Sequence, residues 1–359
     1  MNYAFTNGKI LDGSRDMQVQ TGRCILVKNG KIHDIVSDTT DLSGYTKIDL
    51  KGHYILPGLI NMHVHLAGSG KPQKKQRDNE KLVNTIMSTS LTRAIAYRMV
   101  ADFAKDELLS GVTTIRTVGG LGDFDTRLRD EIKAGSKIGP RILASNQGIS
   151  VPGGHMAGSV AVAASSIPDA LSHLKKSEQQ KVDLIKLMIT GGVLDAKEKG
   201  VPGELKMPPE MVRAVCEKAH ADGYLVAAHV ESPEGVRVAL ENGVDSIEHG
   251  AKLTDEMVKL FKERGAFLCT TISPALPYAL FDRSITNTTK RSAELTDIDS
   301  ITGSIEKGKA ADLIVTAQNP LKDLKALRNL EMVISGGRFI EHPKIKKRKQ
   351  VEAELDKFL

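Results

Sequence analysis

The sequence predicts an α/β fold: a (β/α) TIM-type barrel over residues 58–302 whose strand eight is not found, and a small β-sandwich domain built from residues 1–57 and 303–343. Three observations carry this expectation. Through the middle of the chain, short apolar strands alternate with amphipathic helical patterns, which argues for a parallel sheet with helices outside it. Both ends are strand-rich with glycine turns. Histidines and one lysine recur on the middle strands, mostly near their ends, and a barrel of this type gathers its chemistry at the C-terminal strand ends.

With 359 residues, the chain is long enough for one large barrel and a satellite domain. Hydrophobic residues make up 40% and charged residues 26%, the composition of a soluble globular protein. No apolar run approaches the roughly 20 residues a membrane helix needs. Residues 1–5 lack the basic start and apolar stretch of a signal peptide, so the expected location is the cytoplasm. Cys24, Cys216 and Cys269 lie in apolar settings and read as buried thiols of a reducing compartment, without zinc-knuckle spacing. Much of the basic excess behind the net charge of +6 sits in residues 71–77 and 344–349. Neither run is interleaved with aromatics, so no nucleic-acid partner is expected.

The first 57 residues carry short strands, and Asn29-Gly30 between two apolar runs signals a hairpin. Strand patterns return at residues 311–315 and 332–340, and residues 344–359 read as a charged surface helix. Between these ends, strands are expected at 59–66, 112–118, 141–149, 182–190, 225–231, 245–249 and 266–272. Helical patterns separate them, such as residues 210–219 closed by Gly223, and 254–261 with Thr254 as N-cap and Gly265 as the stop.

Lys186 sits in the middle of the apolar run 182–190, which reads as a buried strand ending in a glycine turn. An ammonium in a dry core is costly unless it reaches a carboxylate or is chemically changed. His63 and His65, at i and i+2, share one strand face. His229 and His249 lie near the ends of the next two strands after that of Lys186. Imidazoles suit zinc, and a lysine carboxylated by CO2 would add a bridging carboxylate while removing the buried positive charge. Two metals roughly 3.5–4 Å apart would acidify a bridging water and polarise a carbonyl.

The chain resembles the amidohydrolase superfamily, on the branch of imidazolonepropionase-like proteins and metal-dependent prolidases (Xaa-Pro dipeptidase-like). The resemblance rests on Leu56-Pro57-Gly58-Leu59-Ile60-Asn61-Met62-His63-Val64-His65, on Lys186, on His229 and His249, and on the glycine-rich return through residues 303–315. It implies that His63 and His65 bind one metal, His229 and His249 a second, and carboxylated Lys186 bridges them. It implies a substrate-binding role for His155, in Gly153-Gly154-His155. The implied activity is hydrolysis of the amide or peptide C–N bond of a dipeptide or N-acyl amino acid. The alternatives are a cyclic amide or imidazolone hydrolase, or a non-catalytic metal-binding relative. The expected partners are a small-molecule substrate and further copies of the chain, with no membrane.

One departure qualifies the resemblance. The family's strand-eight aspartate, which moves the proton from water to the leaving nitrogen, has no counterpart between residues 272 and 295. Asp282, Asp297 and Asp299 are the nearby carboxylates, and none follows a strand-like run. An internal deletion is the favoured explanation, ahead of an open barrel completed by a neighbouring subunit or a rearranged loop. No general acid or base is therefore assigned.

Overall fold

A computed structural model describes residues 2–68, 78–192, 203–271 and 299–347. The chain opens with β1 (Asn2–Thr6), β2 (Lys9–Ile10), β3 (Arg23–Lys28), β4 (Lys31–Ser37), β5 (Thr46–Asp49) and β6 (Tyr54–Pro57). It continues through β7 (Leu59–Val64), α1 (Asn79–Met87), α2 (Ser90–Leu109), β8 (Val112–Thr117), α3 (Phe124–Lys133), β9 (Arg141–Ala144), β10 (Gly148–Ser150) and β11 (Ala161–Ala163). Then come α4 (Ile167–Gln179), β12 (Ile185–Met188), α5 (Pro209–Ala221), β13 (Val226–Val230), α6 (Pro233–Glu241), β14 (Ser246–His249), α7 (Asp255–Arg264) and β15 (Phe267–Cys269). It returns with β16 (Leu313–Thr316), β17 (Leu330–Ser335) and β18 (Arg338–Glu341).

The described residues fall into two compact units, the first drawn from residues 2–61, 104–114 and 299–347 and the second from residues 62–68, 78–103, 115–192 and 203–271. The first unit holds two sheets, β4-β3-β1-β5 and β18-β17-β16-β6-β2. Their apolar sides share one core: Phe5, Ile25, Val27 and Ile32 come from one sheet, and Ile55, Leu313, Val315 and Ile334 from the other. Asn29 and Gly30 both adopt positive φ (50° and 75°) and turn β3 into β4 in antiparallel register, as the Asn-Gly pair requires. The stretch 104–114 joins this unit although its sequence pattern belongs to the middle segment. Leu108 packs with Leu56, Ile314 and Leu330, and Gly111, at φ +94°, lies where a Cβ would stand 2.7 Å from Leu330 Cδ1.

In the second unit, six strands form the sheet β11-β10-β12-β13-β14-β15, and every pairing in it is parallel. β7, β8 and β9 form a separate three-stranded sheet. Among the described residues these stand as two sheets, not one closed ring. Residues 272–298, where strand eight and the candidates Asp282 and Asp297 were sought, lie outside the described residues, as does the basic run 71–77. Asp299 sits in a turn.

Alternation writes the two faces of the six-stranded sheet. Ile185, Leu187, Ile189, Val226, Ala228, Val230 and Ile247 join one apolar cluster with Leu174 of α4, Val212 of α5, Val236 of α6 and Met257 of α7. The intervening residues include Lys186, His229, Ser246 and Glu248, all buried. Thr254 caps α7 by accepting from the Met257 N–H, and Gly265 ends that helix at φ +65°.

Two expectations need correction. The strand expected at 141–149 is two strands, because Asn146 takes a left-handed φ of 54° between them. Its side chain accepts from the Thr126 N–H and donates to Thr126 Oγ1 and Gln180 Oε1, which holds the break in place. Residues 344–347 form neither helix nor strand, and the remainder of the expected C-terminal helix lies outside the described residues. No helix among the described residues is long and apolar enough to cross a membrane.

Candidate metal centre

β7 presents His63, and His65 follows directly after it. Their Nε2 atoms approach to 3.2 Å. The other nitrogen of each ring is engaged: His63 Nδ1 lies 2.7 Å from Glu248 Oε2, and His65 Nδ1 lies 3.0 Å from the Gly119 carbonyl. A carbonyl and a carboxylate only accept, so both Nδ1 atoms are the donors. Neutral rings in that state turn two lone pairs toward each other. Two nitrogens bound at about 2.0–2.1 Å to one tetrahedral zinc would stand about 3.3 Å apart, so a divalent cation fits this pair.

Parallel pairing sets Met188 beside His229 and His229 beside Glu248. Simple alternation would send His249 to the opposite face from Glu248. Its φ of +68°, in the left-handed region that few non-glycine residues occupy, turns it back instead. Its ring centroid lies 4.7 Å from that of His63 and 4.7 Å from that of His229. A contact of 2.7 Å between His249 Nδ1 and Thr271 Oγ1 fixes the ring. His155 stacks on His229, centroids 3.9 Å apart and planes 9° apart. Gly192 makes room for it: a Cβ there would stand 2.7 Å from His155 Cε1.

Lys186 is 1% exposed, and its Nζ has no hydrogen-bond partner among the described residues; the same holds for His229 Nε2. The alternative that Lys186 is simply hydrogen-bonded to a buried carboxylate is therefore not what these residues show. Orphaned buried polar atoms call for a further group; the neutral His229 ring suits a divalent cation as it stands, and Lys186 would suit one only after its ammonium is converted to a carbamate.

Burial is the main electrostatic force here. It lowers Lys186 from 10.5 to about 8, with Glu248 opposing and Arg116 assisting. It brings His65 to about 3, with His63 assisting, and His249 to about 2, with His63 and Lys186 assisting. His63 and His229 are lowered for the same primary reason. Desolvation alone would raise the Glu248 carboxyl, but Arg116, the His63 hydrogen bond and Lys186 hold it well below the usual carboxylate range. The imidazoles are thus neutral, the state in which they bind metals.

Four residues that the sequence did not propose for the site join the cluster. Arg116 on β8 and Glu248 on β14 form a buried ion pair at 2.5 Å. Cys269 lies with His63 and Glu248, and Glu231 with His229 and His249, each group offering ligand atoms within 4.8 Å of one another. Burial pushes the Cys269 thiol up to about 12, so it is protonated. A charged residue inside an apolar strand was the available signal for Arg116 and Glu248, the same one that marked Lys186.

Parallel strands that converge imidazoles, a lysine and a carboxylate define an α/β protein with a candidate divalent-metal site at its strand ends. Residues 54–278 match the amidohydrolase family, more than half of the sequence, and the chain belongs to that family. Ochratoxinase of Aspergillus niger is 23% identical over 276 residues, covering 69% of this chain and 55% of that protein. The chain spans about half the length of the curated relatives it matches. Among solved structures, a Bifidobacterium longum protein assigned as a prolidase superposes with a TM-score of 0.80 at 29% identity, covering 99% of this chain and 98% of that one. A Xaa-Pro dipeptidase with bound methionine in its active site superposes with a TM-score of 0.78 at 26% identity, covering 95% and 100%.

Proposed function

We propose that this chain is a zinc-dependent hydrolase that cleaves the amide or peptide C–N bond of a dipeptide or N-acyl amino acid. The carrying observation is the 3.2 Å approach of His63 Nε2 and His65 Nε2 with both Nδ1 atoms committed as donors. His63 and His65 would hold one ion, His229 and His249 a second, and carboxylated Lys186 would join them. Likeness to a dipeptidase and an assigned prolidase supports the substrate class. A (β/α) barrel lacking strand eight, with a β-sandwich formed from both termini, a cytoplasmic location and a homo-oligomeric state belong to the same proposal.

The chain's residues explain how such a site is prepared. Desolvation of Lys186 enlarges its share of neutral amine, whose lone pair attacks CO2; the N–C bond forms as one C=O π bond opens onto oxygen, and the nitrogen's surplus proton passes to solvent, leaving the carbamate. That exchange replaces a buried cation with a carboxylate. His155, held flat against His229, orients the substrate carbonyl. When bound, a divalent cation supplies Lewis-acid polarisation of that carbonyl and acidifies water.

The test is elemental analysis of the purified protein alongside a hydrolysis screen of dipeptides and N-acyl amino acids on the same preparation. One or two zinc-like ions per chain, with turnover lost on chelation and regained on adding zinc, is the expected result. Neither metal nor turnover would overturn the reading. The lack of a strand-eight aspartate in the sequence favours one second reading, a metal-binding relative without catalysis, and metal without turnover would select it.

A further inference from the structure

The buried pair of Arg116 and Glu248 meets the histidine cluster at His63, and its other hydrogen bonds are directed away from that ring. Arg116 Nη2 donates to Glu248 Oε1 at 2.5 Å and to Ser246 Oγ at 3.1 Å, and the Ser246 hydroxyl donates to the same Oε1 at 2.6 Å. Arg116 Nε donates to the Met62 carbonyl at 2.8 Å, immediately before His63. Glu248 is 0% and Arg116 3% exposed. One carboxylate oxygen is thus occupied by two donors, and the other, Oε2, accepts from His63 Nδ1 at 2.7 Å, while the Cys269 side chain also hydrogen-bonds the carboxylate.

From this geometry we infer that Glu248 is a positioning residue that selects the ring tautomer of His63, keeping the proton on Nδ1 and the lone pair on Nε2, where it meets His65. The inference rests on the proposed metal site, because only there does an unprotonated Nε2 have a use. A carboxylate cannot donate, so the proton of a neutral ring must face it. Arg116 and Ser246 make this directional by pinning Oε1. Arg116 also braces the backbone beside His63 through the Met62 carbonyl. Such outer partners of metal-binding histidines set ring orientation and basicity.

Glu248→Gln separates this role from mere packing, since it preserves shape. In that variant Arg116 and Ser246 still require an acceptor, so the amide oxygen stays at the Oε1 position. The amide NH2 then faces His63 Nδ1, which must accept. The ring proton moves to Nε2 and donates to His65 Nε2, occupying the place of the cation.

Two readouts test this. In metal-free parent labelled with 15N-histidine, two-bond ring correlations of His63, assigned by their loss in His63→Gln, should show the Nδ1–H tautomer. Glu248→Gln should show Nε2–H. In competition with a chromophoric chelator, zinc affinity of Glu248→Gln should fall about 10–100-fold while its circular dichroism matches the parent. An Nε2–H ring in the parent overturns the inference, as does a folded Glu248→Gln that binds zinc as tightly as the parent. If Glu248→Gln does not fold, the parent spectrum alone decides. A parent that binds no zinc refutes the proposed function, and its tautomer still decides the role of Glu248.

Discussion

On β12 and its extension, Ile185, Leu187 and Ile189 bury among the helices, while Lys186 and Met188 turn to the opposite side of the same sheet. On β13 and β14, Val226, Ala228, Val230 and Ile247 repeat the first behaviour, and His229, Ser246 and Glu248 the second. Both faces are dry, and they differ in what dryness does. On the helix side each buried aliphatic side chain contributes roughly 1.5–3 kcal/mol through the hydrophobic effect. On the other side, desolvation works against every charge, and the Arg116–Glu248 pair is compensated by short hydrogen bonds. One face stabilises the fold; the other leaves Lys186 Nζ and His229 Nε2 without hydrogen-bond partners among the described residues and is the candidate metal site.

The sharpest way to break this comparison is to remove the proposed bridge, Lys186. Lys186→Ala should cut zinc content by more than the about 10–100-fold in affinity that outer-shell partners command, with hydrolysis lost in parallel. Elemental analysis of matched preparations reads this, and an unchanged metal count would remove Lys186 from the site. Its neighbour should behave oppositely. Leu187→Ala opens a cavity at a position of 0% exposure and should lower stability by about 2–5 kcal/mol in urea unfolding. Metal bound per folded molecule should stay at the parent value. Loss of metal in folded Leu187→Ala would show that the two faces are not separable.

Much of this division was legible in the sequence because alternation is a local signal. The expected strands at 59–66, 112–118, 182–190 and 225–231 each contain an observed strand, and the caps of α7 fall on Thr254 and Gly265 as their residue types demand. The histidines were visible for the same reason, standing near strand ends. What could not be read was convergence. That Arg116 of β8 meets Glu248 of β14 depends on long-range packing, and Glu248 stood in plain view one residue before His249. The return of His249 to the shared face depends on a backbone φ of +68° that no pattern of residue types announces. Asn146 hid its strand break in the same way, inside a run whose apolar character continues on both sides.

The last consequence of the comparison concerns sign. If the site face is a liability without its ligand, then making it resemble the helix face should stabilise the metal-free, CO2-free protein. Lys186→Met nearly preserves volume and removes the buried ammonium. At neutral pH it should raise the unfolding free energy by up to on the order of 3 kcal/mol, the cost implied by a lysine held at about 8 instead of 10.5. Below pH 8 both folded and unfolded parent carry the proton, and the penalty is complete. Between about 8 and 10.5 the unfolded chain keeps a proton that the folded chain has released, so parent stability climbs with pH and the gap to Lys186→Met closes. Urea unfolding of both proteins at pH 7 and at pH 10 measures that closure. A gap that stays constant with pH would mean the ammonium is already neutralised in the metal-free fold.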